Sequence, residues 1–170
     1  PRFAWQLASD RRASRQSAYQ VTAASQPHLL VEGTPDLWDS GRIDSDQSVH
    51  VTYAGPVLRS RQRVYWRVAV WDDTGQANQS EIAWFEMGLL ESGDWRAHWI
   101  GTPFSGGPRS SFPVPQLRKT FNLAGDVASA RLYVTALGVF DCSINGQPVG
   151  EDVFAPGWTD YRQRVQVLTY

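Results

Sequence analysis

The chain has 170 residues, a net charge of −1, 42% hydrophobic residues and 19% charged residues. That length allows one large domain or two small ones, and the balanced charge gives no bulk attraction for nucleic acid or an acidic membrane surface. The single cysteine, Cys142, excludes an internal disulfide and a CxxC metal site, and no apolar run is long enough to span a membrane.

From the N-terminus, FAWQL over 3–7 alternates and predicts a first strand. Arg11, Arg12 and Arg15 follow in a polar stretch, read either as a basic patch or as a solvated loop. A second strand is predicted over 18–23, with Tyr19, Val21 and Ala23 on one face. Gly33-Thr34-Pro35-Asp36 is turn chemistry, and a third strand is predicted over 47–53, with Val49, Val51 and Tyr53 in phase. Arg59, Arg61 and Arg63 alternate, which fits a solvated strand edge that discourages aggregation.

The strongest pattern is VYWRVAVW over 64–71. Val64, Trp66, Val68 and Val70 share one face; Tyr65, Arg67, Ala69 and Trp71 share the other. Bulky groups on both faces predict a central strand. Asp72-Asp73-Thr74-Gly75 reads as a turn rather than a carboxylate pair for catalysis, because Asp side chains accept backbone hydrogen bonds there. Asp44 and Asp46 have no partner evident in the sequence. A closing strand is predicted over 82–85. No window sustains a 3.6-residue apolar period over three turns, so short strands between turns predict an all-β sandwich over 1–90, of the fibronectin or immunoglobulin kind.

A polar stretch from Glu91 to Asp94 marks the boundary, and Trp95, Trp99 and Ile100 form a short apolar element. Residues 101–116 contain four prolines and predict a long surface loop. Gly106-Gly107 within it lacks the Lys and helix start of a phosphate loop. LRKTFNL over 117–123 predicts a strand, as does the alternation over 132–137. Phe140, Cys142 and Ile144 share the face expected to be buried, which makes a core thiol of Cys142. Asn145-Gly146 predicts a two-residue hairpin turn, since both central residues of a type I′ turn need positive φ. Residues 91–170 are thus expected to form a second sandwich, with unpaired edges near 165–170.

One run differs in character. APGWTDY over 155–161 sets two aromatics, a carboxylate and a hydroxyl in a turn-rich segment. Aromatic faces stack on sugar rings, and carboxylates accept paired sugar hydroxyls. Trp158, Asp160 and Tyr161, with Asn145 and Asp152, are the candidate carbohydrate-binding residues. The structural alternative has Trp158 plugging one end of the sandwich and Asp160 capping a turn. His28, His50 and His98 are scattered, and no HxxxH or HExxH spacing supports a metal site. No residue is assigned a catalytic role.

LRK over 117–119, ARLYV over 130–134, ALG over 136–138, ING over 144–146 and PGWTDY over 156–161 resemble, in order, the N-terminal region of bacterial α-L-rhamnosidases. So do LWDSG over 37–41, YWRV over 65–68 and FEMGLL over 85–90. The family's inverting glycoside hydrolases carry an (α/α)6 catalytic barrel. This chain departs from the family at Gln79-Ser80, where Trp-Ser is common, and at Cys142, where Glu is common.

The resemblance implies an accessory fragment: an immunoglobulin-like domain, then a jelly-roll sandwich that begins near Trp95 and continues past Tyr170. The hydrolytic acids would lie in a downstream barrel of the same polypeptide, the partner expected for this fragment, and rhamnose-containing glycosides would be the substrates. Some family members bind rhamnose with calcium through a jelly-roll module, but no calcium ligand maps onto this chain, and no cofactor is assigned. Three functional readings stay open: an inactive scaffold that assists substrate presentation, an autonomous rhamnose-binding module, and a ligand-free spacer. With no initiator Met and no signal-peptide pattern, the ends look cut; the bacterial cytoplasm and secretion both remain open.

Overall fold

The computed structural model describes residues 1–103 and 113–170, so Gly106-Gly107 and the centre of the proline-rich loop lie outside the described residues. The chain divides into two compact units, Pro1–Ala97 and His98–Tyr170. Both are built from antiparallel strands, as the all-β reading expects.

In the first unit the strands are β1 (Arg2–Phe3), β2 (Gln16–Ala24), β3 (Trp38–Asp39), β4 (Ile43–Asp44), β5 (Val51–Thr52), β6 (Arg63–Asp72), β7 (Ala77–Gln79) and β8 (Ala83–Glu86). A six-stranded sheet has β2 and β6 at its centre. β3 and β4 pair with the free side of β2, and β7 and β8 with the free side of β6. The long β6 is therefore central, as its two bulky faces predict. Register explains the layering: Val21 faces Val68 and Ala23 faces Trp66 across the β2–β6 ladder. These residues point inward with Phe3 and Val51 of the separate β1–β5 ribbon, which forms the second layer. Phe3 stands 4.7 Å from the Trp66 ring and stacks on Trp38, so aromatic contacts fasten the two layers. Val64, Leu58 and Ala23 extend the core toward the far end.

One polar side chain is buried in this unit. Gln16 accepts from the Trp5 indole N–H at 2.9 Å and donates to the carbonyls of Ser45 and Gln47, each at 2.9 Å. Both amide protons and one oxygen lone pair are thus used, which offsets much of the desolvation of a buried carboxamide. The register of β2 shifts between Gln16 and Ala18, and the Ser17 hydroxyl at that bulge donates to the Asp72 carbonyl at 2.7 Å.

Several expected strands are shorter than their alternation implies. The predicted strands over 3–7 and 47–53 shrink to a ladder of two pairs, because His50 takes φ 56 and turns the chain out of extended register; Val49 is exposed. Arg59, Arg61 and Arg63 do not line one strand edge. Arg61 has φ 63, which breaks the alternation, while Arg63 lies within β6, pairs with Glu86 at 3.3 Å and stacks over Trp84. A single-turn helix, α1 (Pro27–Val31), packs on the outward face of β2 and β6 and buries Leu30. Proline opens it, and it is too short for a periodicity signal.

Arg11 does not stand alone in solvent. Its guanidinium pairs with Asp73 and reaches Asp72 at 3.4 Å. Asp72 also accepts from the Thr74 and Gln76 amides at 2.9 Å, so this carboxylate pair makes a turn, as expected. The turn Ser92–Asp94 is held to the first unit. Asp94 accepts from the Ser60 hydroxyl and from Glu91 N at 3.1 Å, and Leu90 N donates to Ser60 at 2.8 Å.

The second unit contains β9 (Tyr133–Val134), β10 (Ser143–Ile144), β11 (Gln147–Pro148) and β12 (Leu168–Thr169). β10 pairs with β11, and β12 with β9. Residues 117–123 form no strand, and Leu117, Phe121 and Leu123 are exposed. An extended segment needs a neighbour for its backbone groups, and none is offered to it among the described residues. Trp99 and Ile100 are likewise exposed rather than part of an apolar element, and Ile144 is exposed beside a half-buried Cys142. The C-terminal segment, expected to leave unpaired edges, is paired on one side: Leu168 and Thr169 face Val134 and Tyr133, and Tyr170 and Leu132 exchange bonds of 3.0 and 2.8 Å.

Candidate functional site

The candidate residues surround the hairpin and the run that follows it. Asn145 and Gly146 take φ 52 and 82 between β10 and β11, the two positive values that a two-residue turn requires. Asn145 is exposed at the tip, and its left-handed backbone is what the fold uses. Val149 N then donates to the Cys142 carbonyl at 2.9 Å, closing the hairpin.

Gly150 follows at φ 79. A Cβ there would lie 2.2 Å from Cε1 of Tyr170, so the ring of Tyr170 lies directly against this backbone. The Tyr170 hydroxyl donates to Asp152 at 2.8 Å. That bond, with burial and the nearby charges, pushes the phenol pKa up, because ionising the phenol would set two negative groups together.

Asp160 organises the next turn. Its carboxylate accepts from Arg162 Nε at 3.0 Å, Nη2 at 3.1 Å and the Arg162 amide at 3.2 Å. Its carbonyl accepts from Gln163 and Arg164 N, both at 2.9 Å. The side-chain bond with Arg162 is the main cause that holds its pKa below the usual carboxylate range. Asp160 therefore caps a turn, the structural alternative given above, while remaining at the surface. Thr159 donates to the Arg164 carbonyl within the same turn.

Trp158 is 71% exposed, so the ring does not plug the end of a sandwich. Exposure of that much ring surface leaves a face available for stacking. Tyr161 is half-buried, and its hydroxyl has no hydrogen-bond partner among the described residues. No hydrogen bond or ion pair joins any two of Asn145, Asp152, Trp158, Asp160 and Tyr161 among the described residues. The structure does not make one constellation of them. Asp152 and Asp160 are each engaged by a different partner, and no group of three or more His, Cys, Asp or Glu is placed to hold a metal ion among the described residues. The sequence reading missed Arg162 and Tyr170. The Asp160-x-Arg162 spacing in a turn is a local signal for the first; the Tyr170–Asp152 contact spans 18 residues and leaves none.

These features define a class: an immunoglobulin-like sandwich followed by a short-laddered β unit with an exposed aromatic and capped carboxylates. Residues 1–91 match the family described as "Rha78A-like, N-terminal immunoglobulin domain", and residues 125–170 match the "Alpha-L-rhamnosidase N-terminal domain". The chain belongs to the α-L-rhamnosidase family and corresponds to the N-terminal region of its members. An α-L-rhamnosidase of Formosa agariphila is 47% identical across the whole chain, which spans 19% of that protein. The structure of an α-L-rhamnosidase from Dictyoglumus thermophilum superposes with a TM-score of 0.84 at 30% identity, over 98% of this chain and 20% of that one. A Streptomyces avermitilis α-L-rhamnosidase complexed with L-rhamnose gives a TM-score of 0.56 at 36% identity, over 99% of this chain and 18% of that one. The chain thus spans about a fifth of the length of these relatives.

Proposed function

We propose that these residues are the non-catalytic accessory part of an α-L-rhamnosidase. The first unit is an immunoglobulin-like part of its scaffold. The second is the beginning of a jelly-roll sandwich that scaffolds a downstream (α/α)6 catalytic region of the same polypeptide and helps present terminal α-L-rhamnosides to it. The observation that carries this reading is the match along the whole chain to proteins five times longer that are named for this activity. The engaged state of the carboxylates agrees with it: Asp72, Asp73, Asp94 and Asp160 serve turns and ion pairs, a poor state for general acids or bases. The test is an aryl α-L-rhamnoside assay of the purified 170 residues. No turnover is expected from them alone, with activity present in the full-length relative; turnover by the fragment would overturn the reading.

A second reading is favoured by the exposure of Trp158: the second unit binds rhamnose itself through Trp158, with Asp152, Asp160, Tyr161 and Asn145 as further candidates. Titration with L-rhamnose, with and without calcium, should then change tryptophan fluorescence saturably, and Trp158→Ala should remove the change. A flat response at millimolar sugar rules it out.

A further inference from the structure

The outward face of the six-stranded sheet holds a hollow of about 190 Å³ in the first unit. Its origin lies in the register. Gln20 of β2 and Gln79 of β7 both face Ala69 of β6, so two carboxamides stand on either side of a methyl group. In the next row on the same face, Thr22 of β2 lies between Asp39 of β3 and Arg67 of β6. Successive same-face rows are two residues apart, so these six side chains ring one small depression. Ala69 leaves the space, and α1 walls one side through Leu30.

The ring is partly pre-organised and partly unspent. Gln20 Nε2 donates to Asp39 Oδ1 at 2.7 Å, and Gly41 N donates to the same oxygen at 2.8 Å. Arg67 Nη2 donates to the Leu30 carbonyl, which anchors the guanidinium over the sheet. Among the described residues, no hydrogen bond occupies Asp39 Oδ2, the Thr22 hydroxyl, the Gln79 amide, or Nε and Nη1 of Arg67. Donors and acceptors thus converge with their geometry partly fixed, which lowers the ordering cost of binding. One positive and one negative group balance, which disfavours an anion or a cation relative to a neutral ligand bearing hydroxyls. The volume is below the roughly 300–1,000 Å³ of drug-sized sites.

We propose that this hollow binds one neutral, hydroxyl-rich ring, a single monosaccharide unit of a glycan. It lies on a different unit from Trp158, so it would add a sugar contact to the chain beyond the rhamnosidase reading, and it stands whether or not Trp158 binds. Asp39 Oδ2 would accept from a ring hydroxyl, and Arg67 and the Gln79 amide would donate to its neighbours.

The test uses the 15N-labelled 170-residue chain, titrated separately with L-rhamnose, D-galactose, D-glucose and sodium sulfate and followed by amide chemical shifts. At least one sugar should give saturable shifts concentrated at Thr22, Arg67 and Ala69, with a dissociation constant on the order of millimolar. Gln79→Ala, an exposed change on an edge strand, should weaken binding about fivefold through the lost hydrogen bond. Ala69→Leu should fill the hollow and abolish the shifts while the remaining spectrum stays folded. No localised shift with any sugar at ~100 mM would overturn the proposal. So would saturation of the same amides by sulfate alone, or sugar binding unaffected by both variants. None of these outcomes depends on turnover of an aryl rhamnoside, so this proposal and the accessory reading fail separately.

Discussion

Similar alternating patterns produced very different strands in the two units. In the first, VYWRVAVW became a central strand with ladders on both sides, and Val64 is fully buried. In the second, the alternation over 132–137 and 140–144 produced ladders of two pairs, and no described residue there is buried. What differs is the partner layer. The β1–β5 ribbon covers the first sheet, and Phe3, Trp38, Tyr53 and Trp66 fill the gap. A period of two makes a face; burial depends on another element meeting it.

The largest effect should come from opening the covered core. Leu58→Ala should cost about 2–5 kcal/mol in urea denaturation, whereas Leu123→Ala in the second unit should stay within about 0.5 kcal/mol. Equal costs would show that the second unit packs more tightly than its exposure indicates. Next comes the buried amide: Gln16→Ala strands the Trp5 N–H and two carbonyls and should cost about 1–3 kcal/mol. An unchanged denaturation midpoint would mean that water replaces the amide. Within the second unit, Gly146→Ala forces a side chain into left-handed backbone and should cost about 1–2 kcal/mol, read as loss of amide protection at Ile144 and Gln147. Retained protection would show that the hairpin is held by more than its turn.

The smallest effect concerns acid. The Ser60 hydroxyl, foremost among its bonds, holds the Asp94 carboxyl below the usual carboxylate range. A lowered folded pKa contributes stability that is fully present above the unfolded value and is lost as pH falls through the folded one. Asp94→Asn should therefore shrink the loss of melting temperature on going from about pH 5 to below the usual Asp pKa near 3.9. A melting profile with the wild-type acid slope would remove Asp94 from that role.

How much of this was legible in the sequence follows from where each signal resides. β2, β6 and the Asn145-Gly146 turn could be read because their information is local: a long alternation in two cases, a required pair of φ values in the third. The short reach of β5 could not, since His enters left-handed backbone more readily than most residues but too rarely to announce the φ of His50. Arg11 reads as a loop residue, and its carboxylate partners lie some 60 positions away. Among the candidate residues, the turn role of Asp160 is one of the two roles its sequence context allows. The exposure of Trp158 reverses the plug that went with that role, because plugging requires a second layer that the described residues do not supply. The hollow over Ala69 was beyond sequence reading: it arises from the register of four strands, not from any motif.

The phenol of Tyr170 has a consequence for Asp152. The same residue that donates to this carboxylate exchanges both backbone bonds with Leu132. A sugar hydroxyl that displaced that phenol from Asp152 Oδ2 would loosen a tether anchored next to β9. Binding near residue 152 would then be audible at Leu132, as faster amide exchange at a position no ligand touches.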